Sequence, residues 1–330
     1  MSFSRIAATA TAATLTLAGL SEGQAQTLTV LAPDYFGSSW GPGPAIKAGF
    51  EARCDCTLEF RTGDVLPRLM LDGARAGADA VIGLGTDEVL RARQTGLFVP
   101  HEQDLGALTL PVDWSDAVFL PFNWSYLAFV YDQTRLETPP ASFAELVERD
   151  DISLIWQDPR SSGAGLALLL WVDQLYGDEA LPVWQEMAAK TVTVTAGWSE
   201  AYGMFTSGEA DMVLSYTTSP AYHILAEDDD SKAAAIFEEG HYFTAETAAI
   251  LEAAAEPELA RAFMAYILSE EFQTMIATAN WSYPSALPRE AWEPVFRDLP
   301  MPDRAIFLTE EDADARRSPA LAHWLDGMTR

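Results

Sequence analysis

From residue 27 onward, short apolar runs alternate with stretches whose apolar positions recur at helical spacing. Thr27-Leu-Thr-Val-Leu-Ala combines alternation with β-branching and predicts a strand at 27–32. A Gly- and Pro-rich loop, residues 34–44, leads into a helix near 45–52, and Pro44 suits a first helical turn. A strand at 56–61, a helix at 65–74 and a buried strand at 79–84 follow with short connections. Strand, helix, strand, helix, strand in this order is the signature of a parallel sheet wrapped by helices. Residues 117–131 are long, aromatic and extended, interrupted only by Pro121, as expected of a strand that crosses between lobes. A second α/β series begins behind it: helix 142–149, strand 154–156, helices 165–176 and 181–190, strand 191–195. Residues 198–223 then read as a short amphipathic helix, a turn at Gly208, a buried strand at 211–216 and a new helix opened by Thr217-Thr218-Ser219-Pro220. Residues 240–251 read as a pair of strands returning to the first lobe, and 257–268 and 270–277 as helices.

The predicted fold class is therefore α/β, a two-lobed clamshell in which each lobe is a mixed, mostly parallel sheet flanked by helices. Crossing hinge strands join the lobes, which we place at 26–122 with 237–284 and at 123–236 with 285–330. Clamshells of this kind close around a solute by hinge motion.

Residues 1–25 precede this pattern and differ from it. They carry one basic residue, Arg5, an apolar small-residue run from 6 to 20, and Gly23-Gln24-Ala25 at the end. That arrangement predicts a secretory signal peptide cut near Ala25, with no cysteine to anchor a lipid, and hence a soluble periplasmic protein. The 49 acidic against 20 basic residues, net −29, argue against nucleic-acid binding, which needs clustered Lys and Arg. The same charge weakly favours a cationic ligand. The two cysteines, Cys54 and Cys56, are separated by one residue; a small local disulfide, free buried thiols and a catalytic thiol all remain open. Without a nearby His they make no zinc site, and no metal or cofactor is expected.

The chain has no Gly-rich phosphate loop, no His-Glu-x-x-His and no Gly-x-Ser-x-Gly elbow. His101, His223, His241 and His323 are scattered, so no catalytic residue is assigned. Aromatic residues carry more information. Trp40 lies in the loop after the first strand, Trp198 follows a strand, Tyr216 ends one, and Trp281 sits in an irregular segment. Core aromatics belong inside elements, whereas binding residues concentrate in loops held by a rigid scaffold. The helix opened at Thr217–Ser219 would begin at the carboxyl end of a strand, where open α/β sheets place ligands, and its free N–H groups favour anionic or hydroxyl groups. Ser161-Ser162-Gly163 before the next helix is either an ordinary capped turn or a second such start. Gly63-Asp64 supplies a carboxylate from the other lobe, as an N-cap or as an acceptor for a ligand amine. A flat ligand, cationic and with a polar tail, suits this set.

Several blocks resemble one known family. They are Gly41-Pro-Gly-Pro44, Gln157-Asp-Pro-Arg160, Leu168-Leu-Leu-Trp171, Thr191-Val-Thr-Val-Thr195, Gly197-Trp-Ser-Glu-Ala-Tyr-Gly203, Ser215-Tyr-Thr-Thr-Ser-Pro-Ala-Tyr-His-Ile-Leu225 and Glu239-Gly-His-Tyr242. Together they resemble the periplasmic thiamine-binding proteins of bacterial ABC importers, from about residue 28 to 284, with the last 45 or so residues matching loosely; Cys54-Asp-Cys56 also looks like that family's Cys-x-Cys. The resemblance implies a type II clamshell that binds thiamine, and its phosphates, between the lobes, works as a monomer, and delivers its ligand to a permease driven by an ATPase. It implies ligand contacts from Trp198, Tyr216, Thr217, Thr218, Ser219, Ser162 and Gly163, with Trp40, Tyr222 and Trp281 completing aromatic walls and Asp64 accepting from the pyrimidine amine. Three positions depart from the family pattern: Pro33 replaces an aromatic, with Tyr35 two places on, the loop at Gly63-Asp64 is short, and Gly163 stands where a hydroxyl residue is usual. Two rivals share the architecture, a thiaminase I-like transferase needing a cleft cysteine and a receptor for another solute such as ferric ion or a polyamine.

Overall fold

The computed structural model describes residues 26–38 and 41–329. The expected signal peptide and Trp40 lie outside the described residues. The strands, in chain order, are β1 (Gln26–Ala32), β2 (Cys56–Thr62), β3 (Ala80–Gly85), β4 (Phe98–Val99), β5 (Leu120–Asp132) and β6 (Leu154–Gln157). They continue as β7 (Thr191–Thr195), β8 (Met212–Tyr216), β9 (Lys232–Ala234), β10 (His241–Leu251), β11 (Tyr283–Pro284) and β12 (Ala305–Ile306). One continuous path of pairing runs β2-β1-β3-β10-β5-β8-β6-β7.

Pairing direction separates two lobes along that path. β1 is parallel to β2 and β3, as β6 is to β7 and β8, while every pairing of β10 with β3 and β5, and of β5 with β8, is antiparallel. The inner parallel strands β1, β3, β6 and β8 are mostly apolar and buried because helices cover both faces, whereas the outer strands β2 and β7 carry polar, partly exposed residues. Leu28, Val30, Ile46, Phe50 and Leu58 form the first-lobe core on one face of the sheet, and Leu31, Leu66, Leu69 and Val81 that on the other. In the second lobe, Trp156, Trp171, Trp184 and Leu214 lie on one face and Ile155, Val213 and Phe205 on the other. Helix Gly163–Tyr176 is buried over most of its length, and Gly165 lets its first turn approach β6: an added Cβ would lie 2.3 Å from the Gln157 carbonyl oxygen.

β5 belongs to both lobes. Its residues from Leu120 to Tyr126 pair with β10, and those from Leu127 to Tyr131 pair with β8. The partner segment predicted as two strands, 240–251, is instead the single strand β10, because alternate residues of an uninterrupted run pack on both faces with no turn residue to divide it. At the crossover, His241 is buried between β5 and its own loop: Nδ1 lies 2.7 Å from the Leu127 carbonyl and Nε2 accepts from the Phe237 N–H at 2.7 Å. Desolvation lowers this imidazole to about 4, so it stays neutral there. Pro121, an apparent strand-breaker, is accommodated by a β-bulge: β5 shifts register against β10 between Glu246 and Thr247.

The C-terminal region divides between the lobes. Leu287, Trp292, Phe296 and Leu299 pack with Trp124, Tyr126 and Phe243 at the crossing strands, whereas the sequence pattern alone places the segment from 285 in the second lobe. Helix Glu310–Met328 joins the second-lobe core through Ala320 and Trp324, while Glu310 at its start reaches back 2.9 Å to Arg93 on first-lobe helix Val89–Gln94. Among the described residues no helix is long and apolar enough to cross a membrane. Cys54 and Cys56 are joined in a disulfide at the start of β2, the end of that strand remote from Gly63 and Asp64.

Candidate functional site

Of the expected residues, ring contacts connect Trp198, Tyr222 and Trp281. Second-lobe helix Trp198–Thr206 begins directly after β7, which sets Trp198 at the carboxyl end of the sheet. Its indole N–H donates to Ser215 Oγ at 2.8 Å, and Ser215 Oγ lies 2.7 Å from Ser219 Oγ. The Trp198 ring stacks on Tyr202 at 4.7 Å, and Tyr202 stacks in turn on His223 at 5.8 Å. Tyr222 meets His223 edge-on and, at 5.1 Å, meets Trp281 edge-on as well. An unbroken path of ring contacts therefore runs from Trp198 in the second lobe to Trp281 beside the crossing strands. Offset and edge-on pairs of this kind are worth ~0.5–1.5 kcal/mol each beyond buried area.

Trp281 adopts φ 51°, an uncommon conformation for a bulky residue. Such outliers persist only where surrounding contacts over-determine them, and they gather at ligand clamps. His223 is committed to packing: Nε2 bonds Tyr202 OH at 2.9 Å and Nδ1 bonds Glu227 Oε2 at 2.6 Å. Glu227 and Asp229 lie close enough to His223 to form a compact acidic group, yet both imidazole nitrogens already have partners.

The segment Thr217–Ser219 differs from its expected form. Thr217 and Thr218 have no exposed surface, and Ser219 is 7% exposed. Thr217 N–H donates to Tyr126 at 2.9 Å, and Thr218 Oγ1 lies 3.1 Å from Ser125 Oγ on β5. These groups tie the second lobe to the crossing strand, and the helix behind them, Pro220–Tyr222, is a single turn that passes into a π-helical stretch at His223–Glu227. The open N-terminus expected there is consumed by packing. Tyr216, by contrast, stays partly exposed, and burial pushes its phenol well up, with the carboxyls of Glu246 and Asp87 adding to the effect.

Ser162 caps helix Gly163–Tyr176 without using its hydroxyl for a cap bond, and the space beside Gly163 is empty to 4 Å. Neighbouring Ser161 spends its hydroxyl on the Ala196 carbonyl at 2.8 Å. From the first lobe, Asp64 is exposed and precedes helix Val65–Asp72 with no cap bond from its side chain. Gly63 before it holds φ 145°, a conformation that L residues avoid.

A second group of polar residues, which sequence reasoning missed or left unassigned, lies close enough to Tyr216 to raise its phenol. Glu246 on β10 is the Cα partner of Asn123 on β5. Its carboxylate accepts from the Tyr35 hydroxyl, from Asn123 Nδ2 at 2.7 Å and from Asn280 Nδ2 at 2.7 Å. Desolvation raises the Glu246 carboxyl and, more strongly, the Tyr35 phenol. A signal did exist: Glu246 is the one ionisable carboxylate inside the run 241–251, and Asn123 the one amide inside an aromatic strand. Asp87, at the end of β3, accepts from Tyr242 OH at 2.6 Å, and desolvation lifts its carboxyl to about 7.

Residues 45–300 match the family model described as bacterial extracellular solute-binding protein. The thiamine-binding periplasmic protein of Escherichia coli strain K12 is 45% identical over 311 residues, spanning 92% of this chain and 94% of that one. The thiamine-binding periplasmic protein of Haemophilus influenzae is 44% identical over 274 residues, spanning 81% and 82%. A solved periplasmic thiamin binding protein superposes with a TM-score of 0.89 at 44% identity, covering 93% of this chain and 97% of its own. The apo ferric ion-binding protein A of Pasteurella haemolytica shares the fold at a TM-score of 0.76 and 14% identity.

Proposed function

This chain belongs to the bacterial extracellular solute-binding protein family, and from that premise we propose that it is a periplasmic receptor that captures thiamine between its two lobes for import. It is a binding protein rather than an enzyme, and thiamine is its ligand rather than a cofactor. The observation that supports this reading best is the path of ring contacts from Trp198 through Tyr202, His223 and Tyr222 to Trp281. A flat aminopyrimidine and a cationic thiazolium both suit aromatic faces, and a desolvated cation over such a ring gains ~2 kcal/mol or more.

In this reading Trp198, Tyr216, Tyr222 and Trp281 wall the ligand, Asp64 accepts from the pyrimidine amine, and Ser162 with the empty space at Gly163 takes the hydroxyethyl tail or its phosphates. Thr217, Thr218 and Ser219 act by setting the Tyr216 backbone. The lobes divide where β5 passes from one sheet to the other, after Tyr126. Export by an N-terminal signal peptide and delivery, as a monomer, to an ABC permease with its ATPase complete the proposal.

The rivals fit less well. A thiaminase-like transferase needs a thiolate in the cleft, and both cysteines are joined in a disulfide at the far end of β2. The ferric ion-binding protein shares only the fold, at 14% identity, against 44% for the thiamin binding protein. Calorimetry on protein freed of endogenous ligand tests the proposal: submicromolar thiamine binding is expected, and no heat at about a hundred micromolar, above −6 kcal/mol of affinity, would overturn it.

A further inference from the structure

Glu246 combines three features that simple packing does not require. Register shifts against both neighbouring strands follow it directly, with β5 between Glu246 and Thr247 and with β3 between Thr247 and Ala248. Bulges of this kind re-aim side chains beside functional sites. On the face of β10 that carries Ala248 and Ile250 into the first-lobe core, Glu246 is where the strand turns from core to partly open surface.

Its partners come from separate segments: Tyr35 after β1, Asn123 on β5 and Asn280 next to Trp281. All three are neutral donors, and none of the ion pairs among the described residues includes Glu246. Neutral hydrogen bonds fix the carboxylate in place without cancelling its charge, and a buried charge is costly until it is paired. Two proposed aromatic positions adjoin this group: the Glu246 charge helps raise the Tyr216 phenol, and Asn280, which donates to Glu246, is followed in the chain by Trp281.

We infer that Glu246 determines specificity at this site: its carboxylate, held by Tyr35, Asn123 and Asn280, is the counter-charge that selects a permanently cationic heteroaromatic ring over a neutral ring of the same shape. The inference rests on the thiamine reading above. A purely structural Glu246 would serve both kinds of ring equally, which makes the ratio of affinities the decisive measurement.

Thiamine and its neutral analogue, in which a thiophene replaces the thiazolium, are titrated into the full mature chain and into Glu246→Gln, Glu246→Asp and Tyr35→Phe. The wild type should prefer thiamine, and E246Q should lose about tenfold or more of that preference while binding the neutral analogue within about twofold of wild type. E246D and Y35F keep the charge and should keep the preference while losing some affinity for both ligands. E246D also covers the case in which E246Q does not fold. Equal weakening of both ligands in E246Q, or collapse of the preference in E246D, overturns the inference. Wild-type protein that binds no thiamine overturns the thiamine reading and this inference together, whereas thiamine binding with an unchanged preference in E246Q overturns this inference alone.

Discussion

The two lobes hold their proposed ligand contacts differently: Trp198 in the second lobe is held at both its edge and its face, by Ser215 Oγ and by the Tyr202 ring, whereas Asp64 in the first has an exposed carboxylate with no cap bond. The second-lobe wall is assembled by neighbours within one stretch of chain, and its aromatic surface is already oriented before a ligand arrives. The first-lobe side offers Asp64 on a short glycine-hinged loop. Preorganised groups contribute more to affinity because little side-chain freedom is lost on binding. The difference suggests that the second lobe receives the ligand and the first lobe completes the enclosure.

Substitutions can break or sharpen this contrast. The largest effect is expected for Trp198→Ala, which removes a stacking face and a member of the ring path; thiamine affinity should fall by at least tenfold, ~1.4 kcal/mol, and unchanged calorimetry would remove Trp198 from the wall. Ser215→Ala leaves every ring present but frees the Trp198 indole edge and the Ser219 hydroxyl. A lost hydrogen bond of this kind costs ~1 kcal/mol, so affinity should drop roughly fivefold, with faster dissociation in stopped-flow fluorescence. Asp64→Asn keeps an acceptor oxygen and alters an exposed, unorganised group, so a twofold to threefold loss, under ~0.7 kcal/mol, is expected. If Asp64→Asn costs more than Ser215→Ala, the first lobe is the better organised of the two and the contrast is reversed.

A fourth change reads stability and not affinity. The Asp87 carboxyl titrates at about 7 in the folded protein because burial disfavours its charge, against about 3.9 in an unfolded chain. Between those values the folded state binds more protons than the unfolded state, so this group makes stability fall as pH rises from about 4 to about 7. Asp87→Asn removes the effect. Its melting temperature should decline less than that of wild type between pH 5 and pH 8, and parallel profiles would refute this account of Asp87.

The second-lobe wall was also the part most legible in the sequence. Trp198, Tyr216 and Tyr222 fall within one continuous stretch, where local periodicity places the helix, the strand and the turn that carry them. Nothing local reveals that β5 passes behind Thr217 and Thr218, where its Tyr126 carbonyl accepts from the Thr217 N–H and its Ser125 hydroxyl meets Thr218 Oγ1. The polar group around Glu246 was legible only as oddities. Tyr35, Asn123, Glu246 and Asn280 converge from distant positions through antiparallel pairing and a bulge, and no spacing rule encodes a bulge. The parallel order of β1 to β3 and β6 to β8 followed from alternating apolar runs and amphipathic helices. The last helix, Glu310–Met328, was not anticipated: seven of its nineteen residues are charged, and it is held in place by long-range packing of Trp324 in the second-lobe core and of Gly327 against Trp184.

The position of β10 has a further consequence, for the time before the protein is folded. β10 lies between β3 and β5, with Ile250 paired to Ala80 and Phe243 to Tyr126. The first-lobe sheet therefore lacks its central strand until residue 251 has been synthesised, after the second-lobe strands β6 to β8 have already emerged. Pairings of such wide sequence separation are slow because loop closure must be met before contact is rewarded. On the export proposed above, that delay keeps the growing precursor threadable through a translocation channel, and leaves the sheet to close on the far side.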